Sequence, residues 1–226
     1  MKRITVLLAD DHTLVREGLR KILEMERDLE IVGEAEDGRQ AVAMVRRLRP
    51  EVVLMDIAMP LLNGLEATRQ VLKAVPATKV LILSAHSDDA YVTDAAESGA
   101  RGFLLKQTSS RDLCLAIREV RQGNTFFGAS VTARLQIRDP QALDRGEAPG
   151  KKTNRLSSRE VEVLQLIAEG LPNKQVAAEL GVTFKTVDKH RQNLMAKLDI
   201  HDIAGLTRYA LAEGIIKGDL RGDPLR

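Results

Sequence analysis

At 226 residues the chain can hold one large domain or two small ones. Its 44% hydrophobic and 29% charged content suits a globular protein, and at 3% aromatic with no Trp any core must rest on Leu, Val, Ile and Ala. A net charge of +2 and a single cysteine exclude a strongly polycationic protein and an internal disulfide. No apolar run reaches the roughly 18 residues of a membrane span, and the N-terminus enters a strand pattern with no h-region or cleavage site. A cytoplasmic protein with no membrane partner is therefore expected.

Five short apolar runs alternate with amphipathic segments up to about residue 123. Ile4–Ala9 reads as a buried strand, followed by a helix with Leu14, Leu19, Ile22 and Leu23 on one face. Ile31–Ala35 precedes a helix opened by Asp37 and Gln40 as a capping box and stopped by Pro50. Val52–Asp56 is the third strand, and Asn63 with Glu66 opens the next helix. Val80–Ser84 leads to a helix from about Asp88 to Ser98. Gly102–Leu105 leads to a helix from about Ser110 to Arg121, closed by Gly123. Cys114 falls on the apolar stripe Leu113, Ile117, Val120 and is expected to be a core residue. Alternating strands and helices predict a doubly wound parallel sheet of five strands.

Residues 124–155 lose periodicity and gain Gly, Pro and Arg, so they are expected to be a linker, with a short helix near Ser130–Leu135. From Leu156 the pattern is purely helical. Ser157 and Glu160 form a capping box for a helix to Glu169. Asn173–Leu180, a Gly181 turn, and a helix from Thr183 to about Leu198 follow, then Asp202–Ala212. The expected organisation is an α/β domain over 1–123, a linker over 124–155 and a separate all-α four-helix domain over 156–226.

Chemistry concentrates at the strand ends. Asp10 and Asp11 close the first strand, Asp56 the third, Ser84 the fourth and Lys106 the fifth. In an open α/β sheet, groups at the carboxyl ends of strands face one crevice. Three carboxylates suit a hard cation such as Mg²⁺. An ammonium and a hydroxyl suit the oxygens of a phosphoryl group, which a carboxylate can accept as an acyl phosphate. His12 and His86 flank this site and read as loop residues, because transition-metal sites usually need several N or S ligands.

These residues resemble the receiver domain of two-component response regulators. The resemblance rests on Asp10-Asp11, the string LMDIAMP with Asp56 and Pro60, Gly64, Ser84-Ala85 and the string GFLLK. It implies a flavodoxin-like strand order and names Asp56 as the phosphoacceptor. It also implies Mg²⁺ held by Asp11, Asp56 and the backbone carbonyl of Ala58, with Asp10 acting mainly through water. Ser84 would move toward the phosphoryl group, and Phe103 would occupy the aromatic switch position. Phe103 lacks the hydroxyl of the commoner Tyr, and Gln107 stands where many receivers have Pro.

The segment Asn173–Leu198 has the support helix, tight turn and second helix of a helix-turn-helix reader. Val176, Ala177, Leu180, Val182, Val187, Leu194 and Leu198 make its apolar faces. Within 183–197, Lys185, Lys189, Arg191 and Lys197 face only Asp188. The strings LSSREVEVLQLIAEGLPNKQVAAELGV and KTVDKHRQNLMAKL are similar to the LuxR-type domain of NarL/FixJ-type regulators. The resemblance implies that Lys185, Asp188, Lys189 and Gln192 point into the major groove. It puts Lys174, Thr186, His190 and Arg191 nearer the DNA backbone. Asp188 departs from a position often basic in the family. There it either accepts from a cytosine amino group or weakens non-specific binding.

Together these features predict a transcription regulator, not an enzyme. A cognate histidine kinase would phosphorylate Asp56, drawing Ser84 and Lys106 inward and repacking Phe103 against the last helix–strand face. Homodimerisation and binding to double-stranded DNA would follow, with Ile203, Leu206 and Leu211 as a dimer seam. Two rivals remain at this point: a phosphohydrolase working through an aspartyl phosphate, and a DNA-binding regulator controlled by oligomerisation alone. The short loops and lack of a cap insertion count against the first, the complete acidic site against the second.

Overall fold

The computed structural model describes residues 3–85, 89–127 and 156–217. The expected helix near Ser130–Leu135 and His86 lie outside the described residues. The chain divides into two compact units, Met1–Lys151 and Lys152–Arg226.

In the first unit the elements alternate as β1 (Ile4–Ala9), α1 (Thr13–Glu24), β2 (Leu29–Ala35), α2 (Gly38–Leu48), β3 (Val52–Asp56), α3 (Gly64–Ala74), β4 (Lys79–Ser84), α4 (Asp89–Glu97), β5 (Gly102–Leu105) and α5 (Ser110–Gln122). The five strands pair in parallel in the order β2-β1-β3-β4-β5. Their near-continuous apolar sequences follow from burial on both faces. Leu7, Val53, Met55, Val80, Ile82 and Phe103 pack on one face with α2, α3 and α4 residues such as Val45, Val71 and Ala95. Val6, Leu8, Leu54, Leu81 and Leu104 pack on the other with Leu23 of α1 and Leu113, Cys114 and Ile117 of α5. Cys114 is thus a core residue, and burial pushes its thiol pKa up.

Three sequence expectations change in the first unit. Leu14 is 82% exposed, while α1 buries Arg16 and Leu23. Nine residues at about 100° each put Leu14 on the opposite side of the helix from Leu23. The box expected at α2 is half made: Asp37 accepts from the Gln40 amide, but the Gln40 side chain accepts from the Glu36 amide instead. Phe103 packs with α3 and α4 residues, not against α5, because alternation along β5 sends Leu104 to the α5 side.

The chain remains on the sheet beyond α5. Phe126 accepts from the Phe103 amide at 2.9 Å and donates to the Arg101 carbonyl at 2.8 Å, a short parallel bridge to β5.

The second unit comprises α6 (Ser158–Ala168), α7 (Asn173–Glu179), α8 (Phe184–Leu198) and α9 (Ile203–Ala212). Its core joins Val163, Leu164, Leu166 and Ile167 to Val176, Leu180, Val187, Leu194, Leu206 and Ala210, all buried. The capping box of Ser157 and Glu160 is complete. Leu206 therefore belongs to the core, not to an exposed seam; Ile203 and Leu211 are the large apolar residues that α9 exposes.

Gly64 shows how closely the turn after β3 is packed. Its amide donates to the Ile57 carbonyl at 2.6 Å, and an added Cβ would collide with the Asp56 carbonyl oxygen. Gly64→Ala should lower the denaturant midpoint, with a loss of about 1–3 kcal/mol from overpacking. Equilibrium urea unfolding checks this.

Candidate functional site

Strand register builds the site. Ala9 pairs with Met55, so Asp10 and Asp56 emerge side by side where β1 and β3 end. Asp56 pairs with Leu83 and Ser84 pairs with Leu105, so Ser84 and Lys106 follow across the sheet. The order reverses between β1 and β3, the switch point where open α/β sheets place their ligands. Asp10, Asp56 and Ser84 are buried.

Lys106 ties the ends together. Its Nζ lies 2.6 Å from Asp10 Oδ2 and 3.1 Å from Asp56 Oδ2, and its amide donates to the Ser84 carbonyl at 2.8 Å. Burial opposes its charge, but the Asp56 and Asp10 carboxylates outweigh that and raise its pKa above the ordinary lysine value. It is therefore a cation at any physiological pH.

Asp10, Asp11, His12 and Asp56 each present a ligand atom, all within 4.8 Å of one another. His12 Nδ1 lies 3.1 Å from Asp10 Oδ1 and 2.8 Å from Asp11 Oδ1. Three carboxylates against one lysine leave two negative charges. That balance and the all-oxygen carboxylate set fit one hard divalent cation.

In the second unit, α7 and α8 form the helix-turn-helix. Gly181 takes φ +61°, the left-handed conformation that lets the chain leave α7. Thr183 then caps α8 by accepting from the Thr186 amide at 3.2 Å. Lys174, Lys185, Lys189 and Gln192 are exposed, while Thr186, Asp188, His190 and Arg191 are half-buried. Gln192 donates to Asp188 at 3.0 Å, and Arg191 reaches Asn173 at 3.4 Å.

Comparison with known proteins decides the family. Residues 6–118 match the response regulator receiver domain, and residues 154–210 match the bacterial regulatory proteins of the luxR family. The chain is 36% identical over 226 residues to the transcriptional regulatory protein DegU of Brevibacillus brevis, covering 95% of this chain and 96% of DegU. The chain belongs to the two-component response regulators. Among solved structures this response regulator resembles RcsB of Salmonella typhimurium, at 26% identity and TM-score 0.61, covering 94% of this chain and 99% of RcsB. It also resembles RcsB in a structure of two RcsB dimers bound to two parallel DNAs, at 27% identity and TM-score 0.55, with the same coverage.

The fold brings Asp10, Asp11, Asp56 and Lys106 together around one point, with Ser84 at the neighbouring strand end. Ala58 is half-buried two residues after β3, and Phe103 lies in the core. No helix among the described residues is long and apolar enough to cross a membrane.

Three side-chain roles were not recognisable from sequence. His12, read as a loop residue flanking the site, joins the acidic cluster because it occupies the N-terminal boundary position of α1 immediately after the two aspartates. Arg159 donates to the Leu180 carbonyl at 2.9 Å and so finishes the end of α7. Lys197, one of the four cations counted near α8, bonds Glu160 at 2.6 Å and holds the end of α8 to the start of α6. Only a contact across 37 residues separates such a lysine from a DNA-facing one.

Burial pushes the Glu160 pKa up, but Lys197 and the Ser157 amide and hydroxyl outweigh it and leave Glu160 below the usual glutamate range. A carboxylate lowered in this way stabilises the fold at neutral pH and loses that contribution as pH falls through its folded-state pKa. Lys197→Met should cost about 0.5–1.5 kcal/mol at pH 7, since Lys197 is partly solvated. The gap from the parent should narrow below about pH 4.3, the free glutamate value. Thermal unfolding of both proteins at pH 7 and pH 3 measures it.

Proposed function

We propose that this response regulator is switched by phosphorylation of Asp56 and binds double-stranded DNA as a dimer. The observation that carries the reading is the Lys106 bridge between Asp10 and Asp56 at the switch point of the sheet. The proposed organisation is a phosphoacceptor domain over 1–123, a linker over 124–155 and a DNA-binding domain over 156–226.

In this reading an Asp56 carboxylate oxygen bonds to the phosphorus of a kinase phosphohistidine. The phosphorus–nitrogen bond breaks, and the electron pair leaves with the imidazole. A Mg²⁺ ion bound at the site would neutralise charge on the phosphoryl oxygens. Asp11, Asp56 and the Ala58 carbonyl would hold it directly, and Asp10 through water. Lys106 exchanges its bond to Asp56 for one to a phosphoryl oxygen, and the Ser84 hydroxyl donates to another. Phe103 then repacks among the α3 and α4 side chains rather than toward α5. The chain is consumed stoichiometrically, one phosphoryl group on its own Asp56, and is not an enzyme with a separate substrate. A phosphohistidine donor and a DNA target, as proposed, would be met in the cytoplasm.

For DNA, Lys185, Asp188, Lys189 and Gln192 are proposed to read the major groove. Lys174, Thr186, His190 and Arg191 would meet the backbone. Dimerisation is supported by RcsB, a structural neighbour described as dimers on DNA. Two readers would face grooves about 10 bp apart.

With Mg²⁺ and a small phosphodonor, intact-mass analysis should find one phosphoryl adduct on the parent and none on Asp56→Asn, whose amide is not a nucleophile. Chelator should abolish labelling, and Asp11→Ala should raise the Mg²⁺ concentration it needs. An adduct persisting on Asp56→Asn would refute the assignment.

On DNA, Lys189→Ala should weaken specific binding by roughly 1–3 kcal/mol and relax preference at one position of each half-site. Arg191→Ala should weaken all sequences alike and reduce the salt slope by about 1. Binding isotherms on selected and scrambled duplexes at several salt concentrations separate the two.

A further inference from the structure

Arg16 is the only charged residue of α1 that the structure buries, at 5% exposure. A buried guanidinium requires partners for its donors. Nη1 donates to the Asp10 carbonyl at 2.7 Å, Nη2 to Glu36 at 2.8 Å, and Nε lies 3.5 Å from Glu34. Glu34 is shared with Arg20. The Asp10 amide donates to the Ala35 carbonyl at 3.1 Å. The turn after β1 is thus fastened to the end of β2 by its amide and, through Arg16, by its carbonyl.

The Asp10 carbonyl belongs to the peptide group that joins Asp10 to Asp11. That group is planar, so fixing its oxygen fixes the orientation of the whole unit, up to the Asp11 Cα. We infer that Arg16 is a positioning residue for the acidic site: it sets the peptide plane from which the Asp10 and Asp11 carboxylates are aimed at a divalent cation. The inference rests on the phosphoacceptor reading above and adds to it a residue that touches neither metal nor phosphoryl group.

Charge and position make opposite predictions. A guanidinium beside the site repels a divalent cation, so on charge alone a neutral side chain of similar length would tighten Mg²⁺ binding. As a positioning residue, its loss loosens binding instead. Partners that orient a metal's ligands are typically worth 10–100-fold in affinity. A purely structural Arg16 would shift unfolding without changing affinity in protein that remains folded.

The test is calorimetric titration of Mg²⁺ into the unphosphorylated full chain, at a temperature where circular dichroism shows each variant folded. Arg16→Met should raise the Mg²⁺ Kd about tenfold. Arg16→Lys, which keeps the charge but reaches only one partner at a time, should fall between Arg16→Met and the parent. Equal or tighter binding by Arg16→Met overturns the assignment of Arg16 alone. If Arg16→Met does not fold, Arg16→Lys decides, and binding equal to the parent's overturns it. A parent that binds no Mg²⁺ overturns the phosphoacceptor reading, and this inference with it.

Discussion

Two ionised carboxylates buried in one crevice repel each other unless a cation lies against both. Asp10 and Asp56 emerge from adjacent strands, and Lys106 is the positive side chain that lies against both. Removing one partner of such a group leaves an uncompensated buried charge, which costs several kcal/mol. The ends of β1, β3 and β5 are therefore held by one ammonium, and Ser84 is joined to the same point by a backbone bond. Because Asp11 adds a further negative charge, Lys106 neutralises only part of the site. A fold built on this arrangement is stable yet electrostatically incomplete, and an incomplete charge balance is what a phosphorylation switch requires.

Much of this was legible in the sequence because parallel strands buried on both faces leave an unusual trace: short apolar runs with polar residues only at their carboxyl ends. Asp10, Asp56, Ser84 and Lys106 stand where those runs stop, and strand register converts that spacing into proximity. The helix-turn-helix was equally visible, since Gly181 and Thr183 are residue types that a tight turn and a helix start demand. What sequence did not disclose was direction. Leu14 faces water and Phe103 faces α3 and α4, because one residue of phase decides the side of a helix or strand. Nor did it disclose long-range pairing. Arg16 and Lys197 look like surface cations until Asp10 and Glu160 are brought beside them.

The two units use the same device at different places. In each, a positively charged side chain crosses from one element to the polar start or end of another: Arg16 to the turn after β1, Lys197 to the capping box of α6, Arg159 to the end of α7. With few aromatic residues to lock the core by shape, these charged hydrogen bonds supply directional contacts that aliphatic packing does not. They also account for the balance of ten acids against ten bases over residues 156–226: several of these charges are engaged within the fold.

The Phe126 bridge bears on the outer edge of the sheet. β5 ends the strand order, so its free side would present unpaired amides and carbonyls to solvent. Phe126 takes up the Phe103 amide and the Arg101 carbonyl on that side. A chain cut after Gly123 would keep every helix and strand among the described residues of the first unit yet bare this edge, and an open edge is a template for pairing with another molecule. The first residues after α5 thus close part of the outer edge of the sheet, a protective hem along β5.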